Sequence, residues 1–240
     1  MTISILAIDE KTGWIGGAAA TGSLCVGGWV LRGHADSGVS ASQGTAPSTL
    51  WGEGVLSLMR AGADAAVAVG AVTTPDNGRA HRQLAALDPS GGTAAFTGTE
   101  SVVYAGSAEA PGVVVAGNML TGPEVITAAL DACLGASGSL PQRLLAALDA
   151  AAAAGGDARG LNSAALLVVG RDIAPLSLRI DHSARPLVAL NDLYRASQTD
   201  PYHGWTTVVP VLDDPYRAPA SRDVPDLPEP IVEAAPRVRR

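Results

Sequence analysis

Aromatic side chains are scarce in this sequence, at 4 % of 240 residues, and Ala, Gly and Val take their place, so small side chains must fill the interior. Lysine is nearly absent: Lys11 is the one lysine among sixteen basic residues, against twenty-three acidic ones, and the net charge is −7. A protein that tracks phosphates needs a basic stripe, so nucleic acid is not an expected partner. The two cysteines, Cys25 and Cys133, form no C-x-x-C and have no His-rich neighbour, which argues against a disulfide framework or a zinc site. Long apolar runs are missing as well. The first eight residues are mostly apolar, but no basic stretch precedes them and Asp9 and Glu10 end the run, so neither a secretion signal nor a membrane span is expected. A cytoplasmic location follows as the expectation.

What is present is a globular composition, 47 % hydrophobic and 16 % charged. At about 150 residues per domain the length suits one or two domains. Residues 1–212 read as one domain. From Asp213 the composition shifts, with six prolines between Pro215 and Pro236, and residues 213–240 read as a disordered tail or an arm laid on a partner subunit.

Periodicity supplies the elements. Thr2 to Ile8 is β-rich, and Asp9-Glu10-Lys11-Thr12-Gly13 is a hairpin turn into a second strand, Trp14 to Ala20. Thr21 to Gly38, with five glycines, reads as a looser segment, followed by a short strand from Val39 to Gln43. Pro47-Ser48 opens a helix ending near Gly62, and Ala63 to Val72 is a second helix. Strands follow at Arg82 to Leu87, Thr93 to Thr97 and Val113 to Ala116, then helices from Glu124 and from Leu140. Ser163 to Val169 and Leu176 to Ile180 are two more strands, and Leu187 to Ala196 is a last helix. This order suits an α+β protein with sheets packed face to face and helices outside; strict strand-helix alternation, and with it a parallel Rossmann sheet, is absent.

The common chemistry signatures fail: the sequence has no phosphate-binding G-x-x-x-x-G-K-[ST], no G-x-G-x-x-G after a strand, no G-x-S-x-G and no H-E-x-x-H. His34, His81, His182 and His203 are dispersed, so no metal is expected. What remains is the amino terminus. Thr2 is small enough for Met1 to be removed in processing, which would leave a free α-amine beside the Thr2 hydroxyl. An α-amine titrates at about 7.7–8.0 and can take that proton, making nucleophile and base one residue. A second-position threonine is also common without any role.

Four stretches carry a resemblance: MTISILAIDEKTGWIGGAAATGS at the start; GVSASQGTAPSTLWGEGVLSLMRAG; RQLAALDPSGGTAAFTG leading to AGNMLTGPEV; and GGDARGLNSAALLVV followed by LRIDHSARPLVAL. In this order they resemble the bacterial domain of unknown function 1028 family, placed in the N-terminal nucleophile (Ntn) hydrolase superfamily. The resemblance covers about residues 2 to 196 and implies a four-layer α-β-β-α sandwich with mostly antiparallel sheets. It further implies an amidohydrolase whose Thr2 attacks a carbonyl. Two departures stand out: Gly27-Gly28-Trp29-Val30 where many relatives are polar or carry proline, and Ala158 where many carry lysine.

Other residues take roles beside Thr2. Asn118, after a strand, is a candidate donor to a developing oxyanion, or a turn residue. Asp157 is a candidate to hold the protonated amine and Arg159 a substrate carboxylate, or the two form a structural pair. Ser42 and Gln43 end a strand where the pocket of such a sandwich is lined, and Ser163 either supports the site or caps a strand. The expected function is cleavage of a C–N bond in a small amide, lactam or ureide, with no cofactor, in a homo-oligomer. The alternatives are a catalytically silent protein of the same fold that binds a ligand or assembles into oligomers and, less favoured, a proteasome-like peptidase.

Overall fold

A computed structural model describes residues 2–157 and 159–219. The expected departure at Ala158, the fate of Met1 and the greater part of the Pro-rich segment, 220–240, lie outside the described residues. The chain opens with β1 (Thr2–Asp9) and β2 (Trp14–Thr21), an antiparallel hairpin that puts Thr2 opposite Thr21 and Asp9 opposite Trp14. The segment expected to be loose is built instead: α1 (Val26–Trp29) and β3 (Leu31–His34) precede β4 (Gly38–Gly44). Then come α2 (Thr49–Arg60), α3 (Ala65–Thr73), β5 (Arg82–Leu87) and β6 (Thr93–Thr97). After β7 (Gly106–Ala110), β8 (Val113–Asn118), α4 (Glu124–Gly135) and α5 (Leu140–Ala153), the described chain finishes with β9 (Ser163–Val169), β10 (Leu176–Ile180), α6 (Pro186–Ser197) and α7 (Tyr202–Thr206).

Helix starts follow local chemistry. The Ser48 side chain accepts from the Trp51 N–H and Asp64 Oδ1 from the Val67 N–H, capping α2 and α3. Ser139 and Gln142 form a capping box on α5, with Pro141 in its first turn.

The strands form two sheets, one of six strands in the order β10-β9-β2-β1-β8-β7 and one of four in the order β3-β4-β5-β6. Every pairing among them is antiparallel. Both faces of β1 are buried, so its pleat sorts its side chains. Ile3, Ile5 and Ala7 pack with Leu144 and Leu148 of α5, while Leu6 packs with Ala41, Ala85 and Leu87 of the other sheet. Leu84 and Ala86, on the far side of β5, pack under Trp51, Val55 and Met59 of α2. Gly17 permits close approach of the sheets: a Cβ there would lie 2.6 Å from the Leu6 side chain and 3.2 Å from that of Leu31.

Two strands escaped the sequence reading for a physical reason. The β3 sequence LRGH sits in a glycine-rich stretch, and the β7 sequence GSAEA lacks β-branched residues and gains its place by pairing along β8. Past residue 212 the described chain remains bonded to the body: Arg171 Nε donates to Asp213 at 2.8 Å and Arg217 Nε to the Val209 carbonyl at 2.8 Å.

Asp88, buried in the β5–β6 turn, ties that hairpin to α3. Its carboxylate accepts from the Ala65 N–H (3.0 Å), the Ser90 N–H (2.9 Å), the Ser90 hydroxyl (2.6 Å) and the Gly92 N–H (3.0 Å). Burial pushes the carboxyl pKa up, but the Ser90 hydroxyl and the backbone donors outweigh it and hold it below the ordinary value. The Asp88 contribution to stability is therefore present above the unfolded-state value of about 3.9 and lost as pH falls through the depressed folded value. Asp88→Asn should destabilise by about 1–3 kcal/mol in urea unfolding at pH 7 and by clearly less below pH 3; an equal difference at both pH values would contradict this.

Candidate functional site

The site lies between the sheets, at the end where β1 begins. Thr2 is in register with Thr21 on one side and Asn118 on the other, and the alternation that points Leu6 at the four-stranded sheet points Thr2 there too. Thr2 is 9 % exposed, and its hydroxyl donates to Thr21 Oγ1 at 3.3 Å. Thr21 Oγ1 also accepts from the Ser23 N–H at 3.2 Å.

A cavity of about 310 Å³ opens here. Thr2, Thr21, Ser23, Gln43 and Thr45 give it polar wall, and Leu24, Val26, Trp29, Val30 and Pro47 give it apolar wall. Four of the five apolar residues come from the segment that looked loose in sequence. The volume is at the lower end of the range for small-molecule pockets.

Behind Thr2, buried side-chain amides join the sheets. Gln83 Nε2 donates to the carbonyls of Gly106 (3.0 Å) and Gly117 (2.9 Å) and to Thr97 Oγ1 (2.9 Å). Carbonyls only accept, so the Gln83 nitrogen must face them and its oxygen must face the other way. That oxygen receives Gln43 Nε2 at 2.7 Å and Asn118 Nδ2 at 3.1 Å. Gln43 Nε2 also lies 3.2 Å from the Ala116 carbonyl and 3.5 Å from that of Thr2. The Gln43 orientation is thereby fixed, and among the described residues no donor reaches its buried Oε1.

The residues expected from sequence divide by position. Thr2 and Gln43 line the cavity. Asn118 is 2 % exposed, ends β8 beside Thr2 and is outside the cavity lining; its amide goes to Gln83. Ser42 points to the opposite pleat, where its hydroxyl donates to the Ser48 carbonyl at the start of α2. Ser163 is fully buried on β9 opposite Thr21; its hydroxyl donates to the Ser23 carbonyl (2.8 Å) and accepts from the Val26 N–H (3.1 Å), shaping the loop that walls the cavity. Asp157, 6 % exposed, accepts from the Gly22 N–H at 2.6 Å and the Arg159 N–H at 2.7 Å, and is paired with the Arg159 guanidinium at 3.2 Å. Its approach to the β2 end needs a glycine, since a Cβ on Gly22 would lie 2.5 Å from Asp157 Oδ2. Arg159 is likewise outside the cavity lining.

Sequence reasoning missed Gln83. Its signal was a long polar side chain at the inward-facing start of an otherwise apolar strand, QLAAL. Among the described residues no group of three His, Cys, Asp or Glu side chains could hold a metal ion, and burial pushes the Cys133 thiol pKa up, which keeps it protonated.

The profile of the Family of unknown function (DUF1028) matches residues 2–190. The chain belongs to DUF1028. This DUF1028 protein is similar to a crystal structure of protein SPO2555 from Silicibacter pomeroyi, of the same family, with 50 % sequence identity over 91 % of this chain and 96 % of that one and a TM-score of 0.88. No curated protein matches it.

The amide network makes a stability prediction. Gln83→Leu strands two buried donors, on Gln43 and Asn118, each costing about 1–3 kcal/mol when unpaired, and removes the amide that reaches the Gly106 and Gly117 carbonyls. The variant should lose at least about 2 kcal/mol in chemical denaturation; a loss under about 0.5 kcal/mol would mean the network carries little.

Proposed function

We propose that this protein is an amidohydrolase that cleaves the C–N bond of a small amide, lactam or ureide, with Thr2 as nucleophile after Met1 is removed. The supporting observation is the Thr2 hydroxyl at the wall of a cavity, on the first residue of a central strand. In this reading the two sheets and the helices on their outer faces are the four-layer α-β-β-α sandwich of the N-terminal nucleophile hydrolases, in which the start of that strand is the catalytic end.

The chemistry needs no group beyond the chain. The α-amine takes the proton of the Thr2 hydroxyl as its oxygen attacks the carbonyl carbon. The oxyanion of the tetrahedral adduct is met by hydroxyls of the cavity wall, of which Thr21 and Ser23 are the candidates. Collapse gives the leaving nitrogen the proton and leaves an ester on Thr2, which water, activated by the same amine, hydrolyses. Asn118, tied to Gln83 behind the cavity, serves here to hold the strand end rather than as the oxyanion donor expected from sequence. Asp157, beside the Thr2–Thr21 end of the sheet, supplies the negative charge that the protonated amine needs. A cytoplasmic location and a homo-oligomer complete the proposal; no helix among the described residues is long and apolar enough to cross a membrane.

Intact mass and hydrolysis test it together. The purified protein should lack the mass of one methionine, and a panel of small amides, lactams and ureides should contain a compound that the wild type cleaves and Thr2→Ala does not. Its rate should rise with pH until the amine is deprotonated, near about 8. Retention of Met1 with no compound cleaved would favour a binding protein of the same fold, and equal cleavage by Thr2→Ala would mean that Thr2 is not the nucleophile.

A further inference from the structure

The apolar wall of the cavity is fixed in place, although its largest side chains face water. Leu24 is 57 % exposed and Trp29 54 % exposed, and both line the cavity. The backbone that carries them is held at either end. Before α1, Ser163 holds the Ser23 carbonyl and the Val26 N–H, and the Cys25 N–H donates to the Asp181 carbonyl just past β10 at 3.0 Å. After it, Arg32 Nη1 donates to the Trp29 carbonyl at 3.0 Å while its Nε pairs with Glu53 of α2 at 3.3 Å, and the Val30 carbonyl accepts from the Ser42 N–H of β4 at 3.1 Å. Gly27 lets α1 lie close on β9, where a Cβ would be 2.8 Å from that of Ala165. Val26 and Val30 are buried, so they form the depth of the wall, and Leu24 and Trp29 form its mouth. Large apolar side chains held out to solvent by a fixed backbone, at the mouth of a pocket, mark a contact surface for an apolar group.

The cavity also lacks charge. Among the described residues no Asp, Glu, Lys, Arg or His lines it, and Asp157 and Arg159, outside the lining, are paired with each other at 3.2 Å. An ionised group brought against such a wall gives up hydration and gains no opposite charge. We infer that α1 and the loop before it set the substrate class: an uncharged amide with an alkyl or aryl substituent, which covers Trp29 and Leu24 while the amide lies among the hydroxyls of Thr2, Thr21 and Ser23. Trp29 is then a specificity residue. That the amide is the bond cleaved rests on the amide-cleaving reading, whereas the preference for an apolar over a charged substituent is read from binding alone.

Affinities are measured by ligand-observed NMR on Thr2→Ala at about pH 8.5, where the α-amine is mostly neutral. The probes are 3-phenylpropanamide, propanamide, pentanamide, and two charged counterparts of pentanamide of similar length, 4-aminobutanamide and succinamate. 3-Phenylpropanamide should bind at least about tenfold more tightly than propanamide, and pentanamide at least about tenfold more tightly than either charged counterpart. Trp29→Ala, an exposed position, added to Thr2→Ala, should weaken 3-phenylpropanamide about fivefold and leave propanamide within about twofold. Equal affinity for pentanamide and its charged counterparts, a phenyl ring that adds nothing, or indifference to Trp29→Ala would overturn the inference. So would a wild-type dimer that Trp29→Ala dissociates in analytical ultracentrifugation, because the wall would then be a subunit contact. The wild type separates the two readings: this binding pattern with no amide cleaved defeats the catalytic reading alone, and cleavage of succinamate or 4-aminobutanamide in preference to 3-phenylpropanamide defeats this one alone.

Discussion

One glutamine holds the two sheets together at the end where the chain begins. Gln83, on the four-stranded sheet, gives its amide hydrogens to the carbonyls of Gly106 and Gly117 on β7 and β8, and takes hydrogens from Gln43 on its own sheet and Asn118 on the other. Elsewhere the gap between the sheets is closed by small and aliphatic side chains such as Leu6, Ala41, Ala85 and Ala116. At this end it is closed by hydrogen bonds, which fix orientation as well as distance. Thr2 and the cavity inherit that geometry: the Gln43 amide that reaches Gln83 also approaches the Thr2 carbonyl.

The pleat then decides which side chains meet. With a period of two, Thr2 shares the inner face with Leu6, and Gln43 shares it with Ala41 and Val39, while Ser42 must face α2. The adjacent pair Ser42-Gln43 therefore contributes one residue to the cavity and one to a helix start. On β9 the same rule turns Ser163 inward beside the Thr21 end, where it organises the Ser23–Val26 backbone from beneath. The cavity is thus a polar floor set by strand register, with an apolar wall hung on a loop that the floor shapes.

Much of this was legible in the residues. The first hairpin, the strands Arg82–Leu87, Thr93–Thr97, Ser163–Val169 and Leu176–Ile180, and the helices begun by Ser48 and at Leu140 follow from alternation, turn residues and caps. The Leu31–His34 and Gly106–Ala110 strands did not, because their places come from pairing with better strands rather than from their own propensity. At the site, Thr2 and Gln43 could be singled out by type and place. Gln83 stood out only as a polar side chain in an apolar strand, and its role was not legible, since it depends on carbonyls of Gly106 and Gly117 far along the chain. Nor could Asp157's approach to the Gly22 amide, which spans 135 residues.

The account turns on a hydroxyl made nucleophilic by the nitrogen of its own residue. Treatment with a β-lactone, which adds its whole mass to the hydroxyl that opens it, followed by peptide mass spectrometry, tests this directly. The account predicts a single ester adduct on the peptide that begins at Thr2, formed faster as pH rises toward about 8. An adduct on another residue, or an unmodified amino-terminal peptide, would contradict it.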